Sequence, residues 1–256
     1  MEILTYGMGE RLRVCSSAVA ADYVGDCRII ILPIPTSRDG VHVSGTEVEL
    51  SEVCREVREG TLVAGYGIPE GVAREILELG GSIYDGSLDE VLISENATLT
   101  ALGALGYILT ELPASPSELS FGIVGYGRIG SRLLRLLLFL GARVRVYSGN
   151  TATLRELSEL GIEAVDYRGS SDFSGLDVLI NTAPAKIVTK KAIGECCGLR
   201  VIDLASGRYL EGISGLVKLP SIPEKYYPQS AGRLYARRIA EHLKDKLSRA
   251  SDKGRG

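Results

Sequence analysis

The chain has 256 residues, enough for one large domain or two small ones. Hydrophobic residues make up 45% of it and charged residues 24%, a balance typical of a globular protein and not of a disordered one. The 29 basic and 32 acidic residues give a formal charge of -3, so no basic surface points to nucleic-acid binding.

Cysteine usage and the N-terminus indicate a cytoplasmic protein. The five cysteines are an odd number without CxxC spacing, which argues against a disulfide framework and a structural zinc site, and two histidines suggest no metal centre. We expect reduced thiols. The first residues do not resemble a signal peptide, and the apolar runs at 97–109 and 133–142 are too short or too interrupted to span a membrane.

The first half of the chain alternates strands with helices. Strands are predicted at 27–32, 61–64 and 81–84, and helices at 47–59, 70–79 and 96–112. The last helix ends at Pro113-Ala-Ser-Pro116, the clearest linker signal in the chain. We therefore predict a smaller N-terminal α/β domain at 1–112.

The second half has the same alternation, with strands that are apolar on both faces. Strands are predicted at 120–124, 144–147, 163–167, 177–180, 200–204 and 216–219, and helices at 128–140, 151–160 and 230–247. Such strands are typical of a parallel sheet covered on both sides. The predicted fold class is thus α/β, with a doubly wound parallel sheet (Rossmann) at 117–248 beside the smaller domain.

A GxGxxG motif, Gly125-Tyr-Gly-Arg-Ile-Gly130, lies between the first of these strands and the helix that follows. In this context Gly125 allows a tight turn, Gly127 lets a pyrophosphate approach the backbone, and Gly130 lets the helix pack close to the strand. The motif predicts dinucleotide binding, with Arg128 and Ile129 at the helix start. A glycine turn without any ligand is the alternative.

The end of the next strand decides which dinucleotide is preferred. An acidic residue there binds the ribose 2′-hydroxyl of NAD, but this chain has Ser148, Asn150 and Thr151, and no carboxylate before Glu156. We predict NADP, with NAD still possible, and Arg155 or Arg128 as the source of positive charge. The same residues would also serve a plain turn and a helix cap.

Small residues follow two other strands. Ligands of doubly wound sheets lie at the carboxyl ends of the strands, so Asn181, Thr182, Ala183 and Ala205 are predicted to contact the cofactor. They are equally compatible with ordinary turns. Asp203 lies on a buried strand and needs hydrogen-bonding partners.

A substrate site is predicted in the first half, as the second wall of a cleft. Thr36, Ser37 and Arg38 follow a strand, and Arg38 is placed to clamp a carboxylate unless it pairs with Asp39. Asn96 and Thr100 are one helical turn apart and share a face. Neither histidine has an evident acidic partner of the kind that 2-hydroxyacid dehydrogenases use, so the catalytic residue is unknown.

Several segments are similar to the family of the first dipicolinate synthase subunit, a relative of the 2-hydroxyacid and shikimate dehydrogenases. The similarity covers most of 27–242, while Tyr6-Gly-Met-Gly9 resembles only a remnant of the family's first glycine-rich unit. The matching segments are the GxGxxG motif, 140–146, 181–184, 201–206, 228–232, 29–35 and 96–104.

The resemblance implies an NAD(P)-dependent oxidoreductase of sporulation. Its substrate is a small cyclic dicarboxylate of the dihydrodipicolinate type, which it oxidises to dipicolinate together with a second, flavoprotein-like subunit. We also expect an oligomer. Two alternatives are a dehydrogenase of another cyclic carboxylate and a non-catalytic dinucleotide-binding or assembly subunit.

Overall fold

The structure is a computed structural model that describes residues 2–22, 27–169, 172–184, 187–194, 196, 198–205, 210, 213 and 215–253. Its strands are β1 (Glu2–Thr5), β2 (Arg28–Ile31), β3 (Leu62–Gly65), β4 (Ser82–Asp85), β5 (Ser120–Val124), β6 (Arg143–Ser148), β7 (Glu163–Asp166), β8 (Val178–Asn181), β9 (Arg200–Asp203) and β10 (Leu216–Lys218). Its helices are α1 (Glu10–Asp22), α2 (Leu50–Arg55), α3 (Glu70–Glu78), α4 (Glu90–Glu111), α5 (Arg128–Phe139), α6 (Thr151–Glu159), α7 (Lys190–Gly194), α8 (Ile222–Tyr226) and α9 (Pro228–Lys253).

The chain divides into two compact units. The first joins Met1–Asn96 to Pro223–Gly256, and the second is Ala97–Ile222. This grouping differs from the predicted domains 1–112 and 117–248 in two ways. The boundary falls inside α4, and α9 belongs to the first unit because it packs along α1.

The first unit contains a parallel four-stranded sheet in the order β1-β2-β3-β4. Its start corrects the interpretation of 6–9 as a remnant, since a paired strand precedes this loop and a helix of 13 residues follows it. Helix α2 is shorter than the predicted 47–59. The reason is that residues 47–49 are extended, with backbone bonds between Val43 and Val48 and between Leu50 and Val41.

The second unit contains a parallel six-stranded sheet in the order β10-β9-β8-β5-β6-β7. Read from the other edge, this is the 3-2-1-4-5-6 order of a Rossmann sheet, and the predicted fold class is confirmed. Alternate residues of the strands enter two separate cores. Phe121 and Ile123 pack with α4, α5 and α6 on one face, whereas Val124 and Leu179 pack with Phe173 on the other.

Helix α4 is longer than the predicted 96–112, because it begins at Glu90. With 22 residues it is long and apolar enough, by length and composition alone, to cross a membrane. Its Ala101, Ala104 and Ile108 nevertheless lie in the core of the second unit, as expected of a core helix. The apolar composition is therefore explained by packing within that unit.

Candidate functional site

The candidate site lies at the carboxyl edge of the six-stranded sheet. The register pairs Val124 at the end of β5 with both Tyr147 of β6 and Asn181 of β8. Asn181 in turn lies opposite Asp203 of β9. The loops after these strands therefore start at the same edge, beside the point where the strand order reverses, and this edge gathers the residues predicted to bind the cofactor.

Two glycines of the motif are required by the fold. Gly125 has a φ of +94°, and a Cβ there would lie 2.9 Å from Thr182 Oγ1 and 3.1 Å from Ala183 Cβ. A Cβ on Gly130 would collide with the carbonyl oxygen of Gly125. Close approach between α5 and the turn thus explains both glycines, as the sequence predicts for these positions.

Gly127 has no such explanation. It is the N-cap of α5 with φ -85° and ψ -161°, a conformation open to any residue, and a Cβ there would meet no heavy atom within 4 Å. The space beside it adjoins the first amides of α5, which have no acceptor within the helix and carry a partial positive charge. Arg128 and Ile129 begin the helix, Arg128 exposed and Ile129 packed against the core. The residues present at this position therefore fit a diphosphate.

The loops after β8 and β9 are joined by buried polar groups. Asn181 is fully buried, and its amide donates to Asp203 Oδ1 at 2.9 Å. The N–H of Ala205 donates to the same oxygen at 3.2 Å, and that of Ala183 donates to Asn181 Oδ1 at 3.3 Å. The partners that Asp203 needs are thus Asn181 and Ala205. Asn181 shapes the edge of the site from below.

Thr182 connects the β8 loop to the glycine turn. Its hydroxyl lies 3.0 Å from the Val124 carbonyl oxygen and 3.2 Å from that of Gly125, and donates to them. The half-buried Ala183 and Ala205 flank it on the same edge. These small side chains leave the edge flat.

Replacing Asn181 by Leu should destabilise the protein. The change removes a donor to the buried Asp203 carboxylate, and a hydrogen bond to a charged group is worth about 1.5–3 kcal/mol, so we expect a loss of that size in a urea unfolding experiment. The double variant Asn181→Leu/Asp203→Leu should recover part of this loss, since it leaves no unpaired charge. A double variant no more stable than the single one would contradict this account.

The end of β6 is occupied by groups that cap the next helix. Ser148 is 6% exposed, and its Oγ accepts from the Asn150 N–H at 3.1 Å. Asn150 Oδ1 accepts from Ala152 N at 2.9 Å and Thr153 N at 3.1 Å. The alternative of a turn and helix cap is therefore present in the structure, although it leaves the exposed Thr151 available.

Sequence reasoning missed two charged residues beside this strand. Ser148 pairs in register with Asp166, the last residue of β7. Arg168 donates to both carboxylate oxygens of Asp166, at 2.9 and 2.6 Å, and lies 3.4 Å from Thr151 Oγ1. These hydrogen bonds lower the pKa of Asp166 to about 2. The predicted neighbouring strand at 163–167 was the signal that could have revealed this cation.

Three of the predicted substrate residues lie in the loop after β2. Thr36 is buried, and its hydroxyl accepts from the Tyr66 N–H at 2.7 Å. Ser37 Oγ donates to Asp39 at 3.1 Å. The alternative of an Arg38–Asp39 pair is not what the structure contains, because Asp39 pairs with His42 at 2.8 Å and that hydrogen bond raises the pKa of His42. Arg38 is exposed.

The other two predicted substrate residues lie on α4. Asn96 Oδ1 accepts a hydrogen bond from Arg11 at 3.1 Å, and Thr100 is buried one turn further along. Among the described residues no three His, Cys, Asp or Glu side chains come together as a metal site requires. The four described cysteines are free thiols.

No family profile matches the chain. The first subunit of dipicolinate synthase from Bacillus subtilis (strain 168) is 28% identical over 131 residues, which are 47% of this chain and 44% of that protein. The match therefore takes in less than half the length of this curated relative.

Solved structures extend the similarity to nearly the whole chain. The crystal structure of the same dipicolinate synthase subunit from Bacillus halodurans has a TM-score of 0.80 at 19% identity, covering 94% of this chain and 97% of that one. Its counterpart from Bacillus subtilis has a TM-score of 0.76 at 18% identity, covering 97% of both chains.

A D-isomer specific 2-hydroxyacid dehydrogenase from Lactobacillus delbrueckii ssp. bulgaricus, solved in its NAD complexed form, has a TM-score of 0.52 at 12% identity. The alignment covers 97% of this chain and 98% of that one. The predicted resemblance is confirmed: this chain is similar in sequence, over part of its length, to the first subunit of dipicolinate synthase, and has the fold of that protein.

Proposed function

We propose that the chain is an NADP-dependent oxidoreductase that converts a dihydrodipicolinate-type cyclic dicarboxylate to dipicolinate during sporulation. The observation that carries the proposal is the open space at Gly127, at the N-terminus of α5 and beside the reversal of strand order. The similarity to dipicolinate synthase supports the substrate class. A cytoplasmic location, an oligomer, and a partner that is a second, flavoprotein-like subunit belong to the same proposal.

The diphosphate of the cofactor is assigned to the glycine turn. The amides at the start of α5 supply hydrogen-bond donors and the partial positive charge of the helix. Gly127 supplies the room, and the exposed Arg128 adds a positive charge in the first turn. Thr182 keeps the turn in shape through its hydrogen bond to the Val124 carbonyl oxygen.

The preference for NADP is assigned to the ends of β6 and β7. The carboxylate that would repel a 2′-phosphate is replaced by Ser148, and the nearby Asp166 is neutralised by Arg168. Arg168 also reaches Thr151, whose hydroxyl is exposed at this edge. A guanidinium with a neighbouring hydroxyl is well suited to a phosphate group.

Calorimetric titration with NAD and NADP tests this assignment. The wild-type protein should prefer NADP, and Ser148→Asp should reverse the preference because it places a carboxylate beside the ribose. Arg168→Gln should weaken NADP binding about tenfold with little change for NAD, the effect of one lost charge-assisted hydrogen bond. Arg155→Gln, an exposed arginine on α6, is the matched control. Equal affinities for both dinucleotides in all four proteins would contradict the assignment.

The oxidation needs little from the chain besides positioning. When bound, the nicotinamide accepts a hydride from the dihydro ring. The ring also loses one proton as it becomes aromatic, and water is a sufficient acceptor for that proton. The chain must therefore hold the dicarboxylate against the cofactor and stabilise the groups around both.

Hydride transfer by the purified chain separates catalysis from a binding role. With NADP and a freshly generated dihydrodipicolinate-type substrate, we expect NADPH absorbance to rise and dipicolinate to form in equal amounts. Dinucleotide binding without NADPH formation, whether or not the flavoprotein-like partner is present, would favour the non-catalytic binding or assembly role. Activity on a different cyclic acid alone would favour the other dehydrogenase.

A further inference from the structure

Arg11 is a buried cation that the proposed function does not use. It lies in the first turn of α1, directly after the glycine-containing loop 6–9, and is only 5% exposed. Gly7 and Gly9 in that loop have φ values of +100° and +139°, and Met8 between them is 92% exposed. The side chain is thus buried at the carboxyl end of β1, at the edge where parallel sheets bind ligands.

The guanidinium has more donors than acceptors around it. Nη2 donates to Asn96 Oδ1 at 3.1 Å, while the buried Nε has no hydrogen-bond partner. In the described part of the chain no carboxylate forms an ion pair with Arg11 within 4.0 Å. Leaving a charged donor buried and unpaired costs free energy, and a ligand that supplied the acceptor would remove that cost.

Glu224 is the acidic residue with the largest electrostatic effect on Arg11. Burial lowers the pKa of Arg11, and the Glu224 carboxylate opposes this shift without bonding to the guanidinium. One Glu224 oxygen instead lies against Gly9, in the position that a Cβ would occupy. The acid therefore approaches the loop before α1 and leaves the Nε edge of Arg11 without an acceptor.

Other elements of the first unit supply a polar and an apolar side to the same region. Tyr66, after β3, and Tyr235, on α9, both interact electrostatically with Arg11. The fully buried Tyr235 hydroxyl donates to the Leu32 carbonyl oxygen at 3.4 Å. Cys15 follows one turn along α1 and is completely buried. Arg11 is thus placed between aromatic rings and one amide, surroundings that suit a planar organic acid.

We infer that Arg11, oriented by Asn96, binds a carboxylate of a small aromatic or cyclic organic acid at the start of α1. The Nε edge offers the parallel N–H donors that a carboxylate accepts in bidentate fashion, and the helix N-terminus adds a favourable field. The inference rests on the proposed function only for the identity of the acid. It also assigns a role to the predicted residue Asn96, which positions the guanidinium.

Titration calorimetry of the full chain with dipicolinate tests this site, in the absence of dinucleotide and with saturating NADP. Wild type should bind dipicolinate and should not bind pyridine-2,6-dimethanol, its uncharged analogue. Arg11→Gln should weaken binding about tenfold to a hundredfold, as expected for a lost bond between charged groups. Arg13→Gln, on the same helix but exposed, should bind like wild type.

A second variant keeps the test decisive if Arg11→Gln does not fold. Glu224→Gln removes the competing negative charge and should tighten dipicolinate binding severalfold, an effect that misfolding cannot imitate. The inference is overturned if wild type binds no dipicolinate under either condition, if Arg11→Gln binds like wild type, or if Glu224→Gln leaves the affinity unchanged.

The two proposals fail separately. A protein that binds NADP but not dipicolinate retains the proposed cofactor site and loses this inference. A protein that binds dipicolinate through Arg11 but takes up neither dinucleotide retains the inference and loses the proposed function.

Discussion

Replacing Gly127 by Asp should abolish NADP binding and leave the protein folded. Asp is a good N-cap and the Gly127 conformation suits it, so the free energy of unfolding should change by no more than about 0.5 kcal/mol. The new carboxylate would lie where the diphosphate is expected. At an effective dielectric constant of about 20, two unit charges about 4 Å apart repel by about 4 kcal/mol, so the dissociation constant should rise at least about a hundredfold.

Gly71→Asp is the matched control for Gly127→Asp. Gly71 also lies at the start of a helix, a Cβ there also meets no heavy atom within 4 Å, and the residue belongs to the first unit. This variant should bind NADP like wild type in a calorimetric titration. Undiminished uptake by Gly127→Asp, with a normal unfolding transition, would remove the main support for the proposed function.

Replacing Gly130 by Ala should destabilise the second unit. The added methyl group collides with the Gly125 carbonyl oxygen, which is backbone and has no alternative rotamer. Overpacking of this kind costs about 1–3 kcal/mol, and the expected loss in urea unfolding lies in that range. Because the turn must shift to relieve the collision, NADP binding should weaken as well.

The control for Gly130→Ala is expected to have the opposite sign. Gly106 lies inside α4, in the same unit, and a Cβ there meets no heavy atom within 4 Å. Gly106→Ala should therefore raise the free energy of unfolding by about 0.5–1 kcal/mol, the usual gain from removing a helical glycine. If both alanines changed stability in the same direction, close packing at Gly130 would not be the cause.

The second unit was largely predictable from sequence because its signals are local. Its inner strands are apolar on both faces, so β5, β6, β8 and β9 begin and end within about two residues of the prediction. The first βα unit was missed for the complementary reason. Glu2–Thr5 is half polar, and α1 buries an arginine where a helix normally buries an apolar residue, so neither shows a clear period.

The candidate site divides in the same way. The glycine loop is a short contiguous motif whose spacing is visible in the sequence, and the structure explains Gly125 and Gly130 by contacts that the motif implies. Arg168 reaches the site only through the pairing of β6 with β7, and Arg11 meets Asn96 across 85 positions. Such partners depend on strand order and helix packing, which a motif does not encode.

The packing of α9 along α1 has a consequence for biosynthesis. The second unit is one uninterrupted stretch of chain, whereas the first is assembled from both ends of it. A growing polypeptide therefore holds every residue of the Rossmann sheet before the last helix has left the ribosome. The N-terminal strands must wait, with an apolar face of α1 uncovered, and in that interval they are the part of the nascent chain most in need of a chaperone.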